Sequence, residues 1–234
     1  MTIEILPTNT CPPDYPELVR RSTAFAKFSA KIHLDVSDGR FTSVTSWPYG
    51  EGQFSELEKM TDQRVVLPLS KIVYYEVHMM VQMPLRTGTL MARAGVKRVI
   101  GHLETFAGAH AVKEAFSAWR AGGAEEVGLA LLIDTPLSAL DEYASQCDAV
   151  LLMSIPSLGK QGAPFDERIY ERIHILHTKY PSLAIGIDGG VGEGNIAKLV
   201  AAGARRFGVG SAITKTPDPE KAYQHLLELA NAAL

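Results

Sequence analysis

Eight short apolar runs, each followed by a longer amphipathic segment, divide the 234 residues into repeats of one kind. The runs are "IEIL" (3–6), "KIHLDV" (31–36), "IVYYEVHMM" (72–80), "KRVIGHL" (97–103), "EEVGLALLI" (125–133), "DAVLLMSI" (148–155), "LAIGID" (183–188) and "RRFGVG" (205–210). Helical period fills the stretches between them, over 14–28, 52–61, 85–95, 108–123, 136–146, 167–180 and 194–204, and again over 219–234 at the end. Apolar residues that run on without alternating suit parallel strands covered on both faces. Strand then helix, eight times over, predicts an α/β fold: a single (β/α)8 TIM barrel spanning residues 1–234. An open doubly wound sheet has similar content, but no dinucleotide fingerprint follows the first run. "RAGG" ending at 123 and "AAGA" ending at 204 mark helix ends before the next strand.

Composition narrows the function classes. The chain is 46% hydrophobic and 21% charged, enough to bury a large core, and its net charge of -3 points to no nucleic-acid or anionic-membrane partner. Cys11 and Cys147 lie far apart without a paired motif, so they read as free thiols of a reducing compartment. The first residues lack the basic and apolar regions of a signal peptide, and no window reaches the length of a membrane span. A cytoplasmic protein is expected.

In such a barrel the chemistry belongs to the C-terminal ends of the strands, and there the polar residues fall. The second strand ends in His33 and Asp35, the third in His78, the fourth in His102 and Glu104, and the seventh in Asp188. Side chains alternate along a strand, so His33 and Asp35 face the barrel mouth together while Leu34 faces the helices. His33, Asp35, His78 and Asp188 form a plausible ligand set for one divalent ion, and mixed nitrogen and oxygen donors suit Zn, Fe, Mn or Co. A lone histidine in an apolar run is more often a hydrogen-bonded core residue; it is the joint pattern at three strand ends that favours ligation. His102 fits a group behind the ligands, a substrate contact or a structural residue equally. His110, His174, His177 and His225 fall in helical segments and read as surface or packing residues. "DGGVGEGN" (188–195) and "GVGSAI" (208–213) supply glycines, Gly189, Gly190 and Gly210, followed by Ser211, at the two late strand ends where this fold cradles phosphate.

These motifs, taken in order, resemble the ribulose-phosphate 3-epimerase family of phosphate-binding barrels. "HLDVSDGRF" (33–41) resembles the family's H-x-D-V-M-D-G-x-F, "EVHMMVQMP" (76–84) its D-V-H-L-M-V-x-x-P, and "GLALLIDTPLSAL" (128–140) its G-L-A-L-N-P-x-T-P. "LLMSIPSLGKQ" (151–161), "IDGGVGEGNI" (187–196) and "AGARRFGVGSAI" (202–213) resemble its later strand ends. The resemblance implies metal ligation by His33, Asp35, His78 and Asp188, with Asp35 and Asp188 as the acid/base pair. It implies phosphate at Gly190, Gly210 and Ser211, a substrate contact at Thr8, and Met80 and Met153 lining the reacting centre. The implied partner is a small sugar phosphate, with room for a homo-oligomer. The implied chemistry is epimerisation at C3 of a ketose phosphate. A metal on the ketone and hydroxyl oxygens stabilises the enediolate, and two carboxylates on opposite faces remove and return the proton.

Departures from the family pattern fall around that set. Ser37 replaces a methionine, 42–50 replaces a V-P-N segment, and "PSLGKQG" (156–162) is shortened by a residue. Lys160 fits a phosphate contact or a solvated loop residue equally, and Glu76, Ile133 and Asp134 also deviate. D-Ribulose 5-phosphate to D-xylulose 5-phosphate is the leading reaction. Another ketose phosphate, such as allulose 6-phosphate, and a non-catalytic sugar-phosphate-binding relative are the rivals. The lyase barrels with an Asp-x-Lys-x-x-Asp array fit less well, because the third strand offers no lysine.

Overall fold

The computed structural model describes residues 2–159 and 162–234. Eight parallel strands close into one barrel in chain order, β1 to β8: Glu4–Asn9, Lys31–Ser37, Tyr74–Met80, Arg98–His102, Glu126–Leu131, Ala149–Met153, Ala184–Asp188 and Arg206–Val209. Around it lie α1 (Tyr15–Phe25), α2 (Gln53–Asp62), α3 (Pro84–Arg93), α4 (Ala109–Gly122), α5 (Arg168–Lys179), α6 (Ile196–Ala202), α7 (Ser211–Thr214) and α8 (Pro219–Asn231). The expected barrel is the observed one. The first strand runs three residues beyond the apolar run that announced it, which brings Thr8 into the sheet.

The helix expected over 136–146 is absent. Two 3-10 turns, Leu137–Leu140 and Ala144–Gln146, take its place, closed by i→i+3 bonds such as Asp141 N–H to the Ser138 carbonyl. A 3-10 turn rises about 2.0 Å per residue against 1.5 Å in an α-helix, so fewer residues cover the return path. Leu140, Tyr143 and Ala144 still bury themselves against the barrel. The helical spacing of apolar residues thus records burial here, not an α-helix.

Alternation along the strands builds two cores. Ile32, Leu34, Val36, Tyr75, Val77 and Met79 point outward into the layer shared with the helices. Inside the barrel, Ile100, Ala130, Leu151, Met153 and Ile155 form a small apolar cluster from β4 to β6 and the loop that follows. At the N-terminal end of the barrel interior the strands contribute charge. Arg98 donates to Glu76 at 2.7 Å, to Glu126 at 2.8 Å and to Glu4 at 3.1 Å. Arg206 donates to Glu126 at 2.6 Å, and Lys31 to Glu4 at 2.5 Å. Three cations and three anions make this ionic floor neutral. Arg98 is only 1% exposed, and burial of a guanidinium is sustainable only with its donors matched in this way.

Candidate metal centre and anion cradle

The strand register sets the site. His33 of β2 pairs with Glu76 of β3, and two residues further up Asp35 pairs with His78. Both pairs face inward, so the second lies one layer above the first. Asp188 enters from the end of β7, beside Gly208 of β8. A Cβ at Gly208 would come within 3.2 Å of Asp188 Oδ1 and 3.5 Å of the His33 ring, so a bare backbone makes room for both.

Together these strands bring one donor atom each of His33, Asp35, His78 and Asp188 within 4.8 Å of one another. His33 Nε2 is 3.1 Å from Asp35 Oδ1, and His78 Nδ1 is 3.0 Å from the same oxygen and 3.6 Å from Asp188 Oδ2. Ligands about 2.1 Å from a common ion lie about 3 Å apart when at right angles, so these spacings suit coordination.

The hydrogen bonds behind the histidines decide which nitrogen faces the group. His102 Nδ1 donates to the Glu104 carboxylate at 3.1 Å. Burial lowers the His102 pKa to about 4, so its ring is neutral and Nε2 is an acceptor. His78 Nε2, 2.9 Å away, must then be the donor. That turns His78 Nδ1 toward two carboxylate oxygens, a contact that needs a cation between the partners, either a proton or a metal ion. Glu104 is itself fixed, accepting from Leu132 N–H at 2.8 Å and from the Thr135 hydroxyl. His102 thus sits behind His78, on the nitrogen turned away from the four-residue group. The ring of Phe41 packs against His102 at a tilt of 42°, with ring centroids 4.6 Å apart.

The two aspartates sit in unlike fields. Burial opposes ionisation of Asp35, but hydrogen bonds from His33 and His78 hold its carboxyl well below the usual range. Burial, and next the Asp35 charge, push Asp188 up to about 6. Burial also disfavours charge on His33, yet hydrogen bonds to Asp35 and Glu76 carry its pKa well above that of free imidazole. Two imidazoles and two carboxylates of this geometry could hold a divalent ion, whose binding would displace the His33 proton.

Above the group lies a cavity of about 130 Å³, room for a small molecule. Asp35 and Asp188 line its floor, and Met80 and Met153 its apolar side. Gly189, Gly190, Gly210 and Ser211 line another wall. Gly189 and Gly190 have φ of +107° and +64°, a backbone that a side chain would strain. Asn195 ties this turn, donating to the Gly190 carbonyl and accepting from Gly192 N–H, both at 2.9 Å. Thr8 also lines the cavity; its Oγ1 is buried with no hydrogen-bond partner among the described residues, so it has bonding capacity left for a ligand.

The remaining sequence candidates separate. Lys160 lies outside the described residues. Ser37 is buried away from the cavity, bonded to Thr42 Oγ1 at 2.6 Å and the Val44 carbonyl at 2.7 Å. Asp38, next along the motif, accepts from Arg40 and Phe41 N–H and, with its other oxygen, from Gln82 N–H at 2.8 Å, stitching the β2 and β3 loops together. Gly159, at φ +81°, lets the loop after β6 close on Thr42 and Val44, so the two segments that depart from the family pattern pack on each other. Glu76, read from sequence only as a deviation, is bonded to His33 Nδ1 at 2.5 Å.

Known proteins point the same way. A sequence model of the ribulose-phosphate 3 epimerase family matches residues 12–214. Ribulose-phosphate 3-epimerase of Aquifex aeolicus is 31% identical over 207 residues, covering 87% of this chain and 86% of the relative. The cytoplasmic isoform of ribulose-phosphate 3-epimerase from Oryza sativa is 28% identical, with 88% and 85% covered. Among solved structures, 3-hexulose-6-phosphate synthase of Salmonella typhimurium superposes over the whole of both chains with a TM-score of 0.65 and 13% identity, a likeness of fold.

Proposed function

This chain belongs to the ribulose-phosphate 3-epimerase family of carbohydrate isomerases, and from that premise we propose that it interconverts D-ribulose 5-phosphate and D-xylulose 5-phosphate, with Asp35 and Asp188 carrying the proton. The carrying observation is the convergence of His33, Asp35, His78 and Asp188 beneath a cavity whose wall is glycine backbone. The ion would be held by these four side chains, and the donor set fits Zn, Fe, Mn or Co. Bound there, it would supply Lewis acidity to the ketone and hydroxyl oxygens of the sugar, lowering the cost of a negative enediolate.

The chain's own residues do the rest. In the metal-free chain the two carboxyls differ: hydrogen bonds from His33 and His78 favour the ionised form of Asp35, while burial and the Asp35 charge favour the proton on Asp188. One takes the C3 proton from one face and the other returns a proton to the opposite face, so the configuration inverts without turning the sugar. Met80 and Met153 present soft apolar surface to the carbanion and keep water and competing bases away. Backbone N–H groups at Gly190, Gly210 and Ser211 would anchor the phosphate, and Thr8 Oγ1 would bond a sugar hydroxyl. The free Cys11 and Cys147 suit a reducing, cytoplasmic setting.

The test is proton exchange. Metal-loaded protein is incubated in deuterated water with a panel of ketose phosphates that includes ribulose 5-phosphate and allulose 6-phosphate, and deuterium at C3 is read by NMR. Fastest exchange and epimerisation are expected for ribulose 5-phosphate. Faster turnover of the hexulose phosphate would transfer the assignment to it, through the rebuilt segments at 42–50 and 156–162. No exchange with any substrate would reduce the chain to a binding relative.

A further inference from the structure

We propose that Glu76, braced by Arg98, is a positioning residue for the metal centre: it holds the His33 ring through Nδ1–H so that Nε2 is the nitrogen presented to the ion. The inference rests on the metal centre proposed above and extends it into the ionic floor of the barrel.

Glu76 is 3% exposed and uses both carboxylate oxygens. Oε1 meets His33 Nδ1 at 2.5 Å, and Oε2 accepts from Arg98 Nη1 at 2.7 Å. Arg98 cannot yield, because its other donors are taken by Glu126 and Glu4. The floor therefore fixes Arg98, Arg98 fixes Glu76, and Glu76 fixes the ring. His33 Nε2 is left 3.1 Å from Asp35, on the side of the ligand group. A carboxylate on the far nitrogen of a ligating histidine selects its tautomer, fixes its orientation and raises its basicity, and loss of such a partner typically weakens metal binding about 10–100-fold. Side-chain length matters as well as charge. An aspartate would be shorter by one C–C bond, about 1.5 Å, which would open the 2.5 Å contact beyond hydrogen-bond range. A glutamine would have the reach, but bonding His33 through its oxygen would turn its NH2 against the Arg98 donors.

The experiment measures zinc affinity of the metal-stripped protein by chelator competition, for the parent, Glu76→Gln, Glu76→Asp and the double variant Glu76→Leu/Arg98→Met. The double variant removes one charge of each sign and leaves the floor neutral, so it guards against failure to fold. Nitrogen-15 NMR of the zinc-loaded parent reads the His33 tautomer directly. We expect a protonated Nδ1 on His33 in the parent and about 10–100-fold weaker zinc in all three variants, with the double variant close to the parent in melting temperature. Folded variants that bind zinc as tightly as the parent, or a parent with zinc on Nδ1, would overturn the role of Glu76 and leave the metal centre standing. A parent whose zinc affinity is unmoved by His78→Ala would overturn the centre itself, and this inference with it.

Discussion

Asp188→Asn should do two opposite things: stop epimerisation and stabilise the metal-free protein at pH 8. The second follows from the field at the site. Burial, and then the Asp35 charge, raise the Asp188 pKa from 3.8 to about 6 in the folded chain. Below about pH 4 both folded and unfolded states hold the proton, and the shift costs nothing. Between about pH 4 and 6 the unfolded chain releases the proton while the folded chain keeps it, so stability falls as pH rises. Above 6 the folded state carries the full cost of an ionised carboxylate held beside another. About two pK units at 1.36 kcal/mol each give about 3 kcal/mol. The side chain is 15% exposed, and screening there brings the figure to about 2–3 kcal/mol. An asparagine has no such cost. For a chain of this size the gain corresponds to a rise of about 5–10 °C in melting temperature. Urea unfolding of chelator-treated parent and variant at pH 8 and pH 4.5 measures it. The gain should appear in full at pH 8 and fall to about a third of that, about 1 kcal/mol, at pH 4.5. In the metal-loaded protein the sign reverses, because the variant has lost an anionic ligand. Activity of metal-replete variant should drop about 10²–10⁴-fold, while Asp35 still exchanges the C3 proton of one epimer. Equal stability effects at both pH values would refute the electrostatic reasoning, and near-parental epimerisation would leave Asp188 without a proton-carrying role.

Two further outcomes follow from the cavity wall and the floor. Gly210→Val places a branched side chain on the cavity wall, and should raise KM for phosphorylated ketoses at least about tenfold while lowering kcat less; an unchanged KM in steady-state assays would remove the phosphate from this wall. Arg98→Met leaves Glu4, Glu76 and Glu126 short of a buried cation and should destabilise the fold by about 3–5 kcal/mol in urea titrations; a loss under about 1 kcal/mol would mean that water, not Arg98, satisfies the floor.

What could be read from the chain alone follows from how each feature is encoded. The strands are legible because each is a contiguous apolar run, and the convergence of the candidate ligands because strand alternation converts the spacing of His33 and Asp35 into a shared face. Both are local rules. The failure at 136–146 is of the same kind: burial of Leu140, Tyr143 and Ala144 needs only approximate helical spacing, which successive 3-10 turns also satisfy. The ionic floor was visible in part, since Glu4, Lys31, Arg98, Glu126 and Arg206 all lie at the beginning of strands. Yet charge at a strand start usually marks solvent, and only closure of the barrel turns these residues toward one another. Glu76 was the least legible. In sequence it is one methylene longer than the family's aspartate and reads as drift. Its meaning depends on Arg98, 22 residues away, and on His33, 43 residues away in the other direction. A single substitution in a motif therefore gains a physical reading only with its partners. Here the extra methylene lets one carboxylate reach both Arg98 of the ionic floor and the His33 ring, tying the orientation of a candidate metal ligand to a buried charge network.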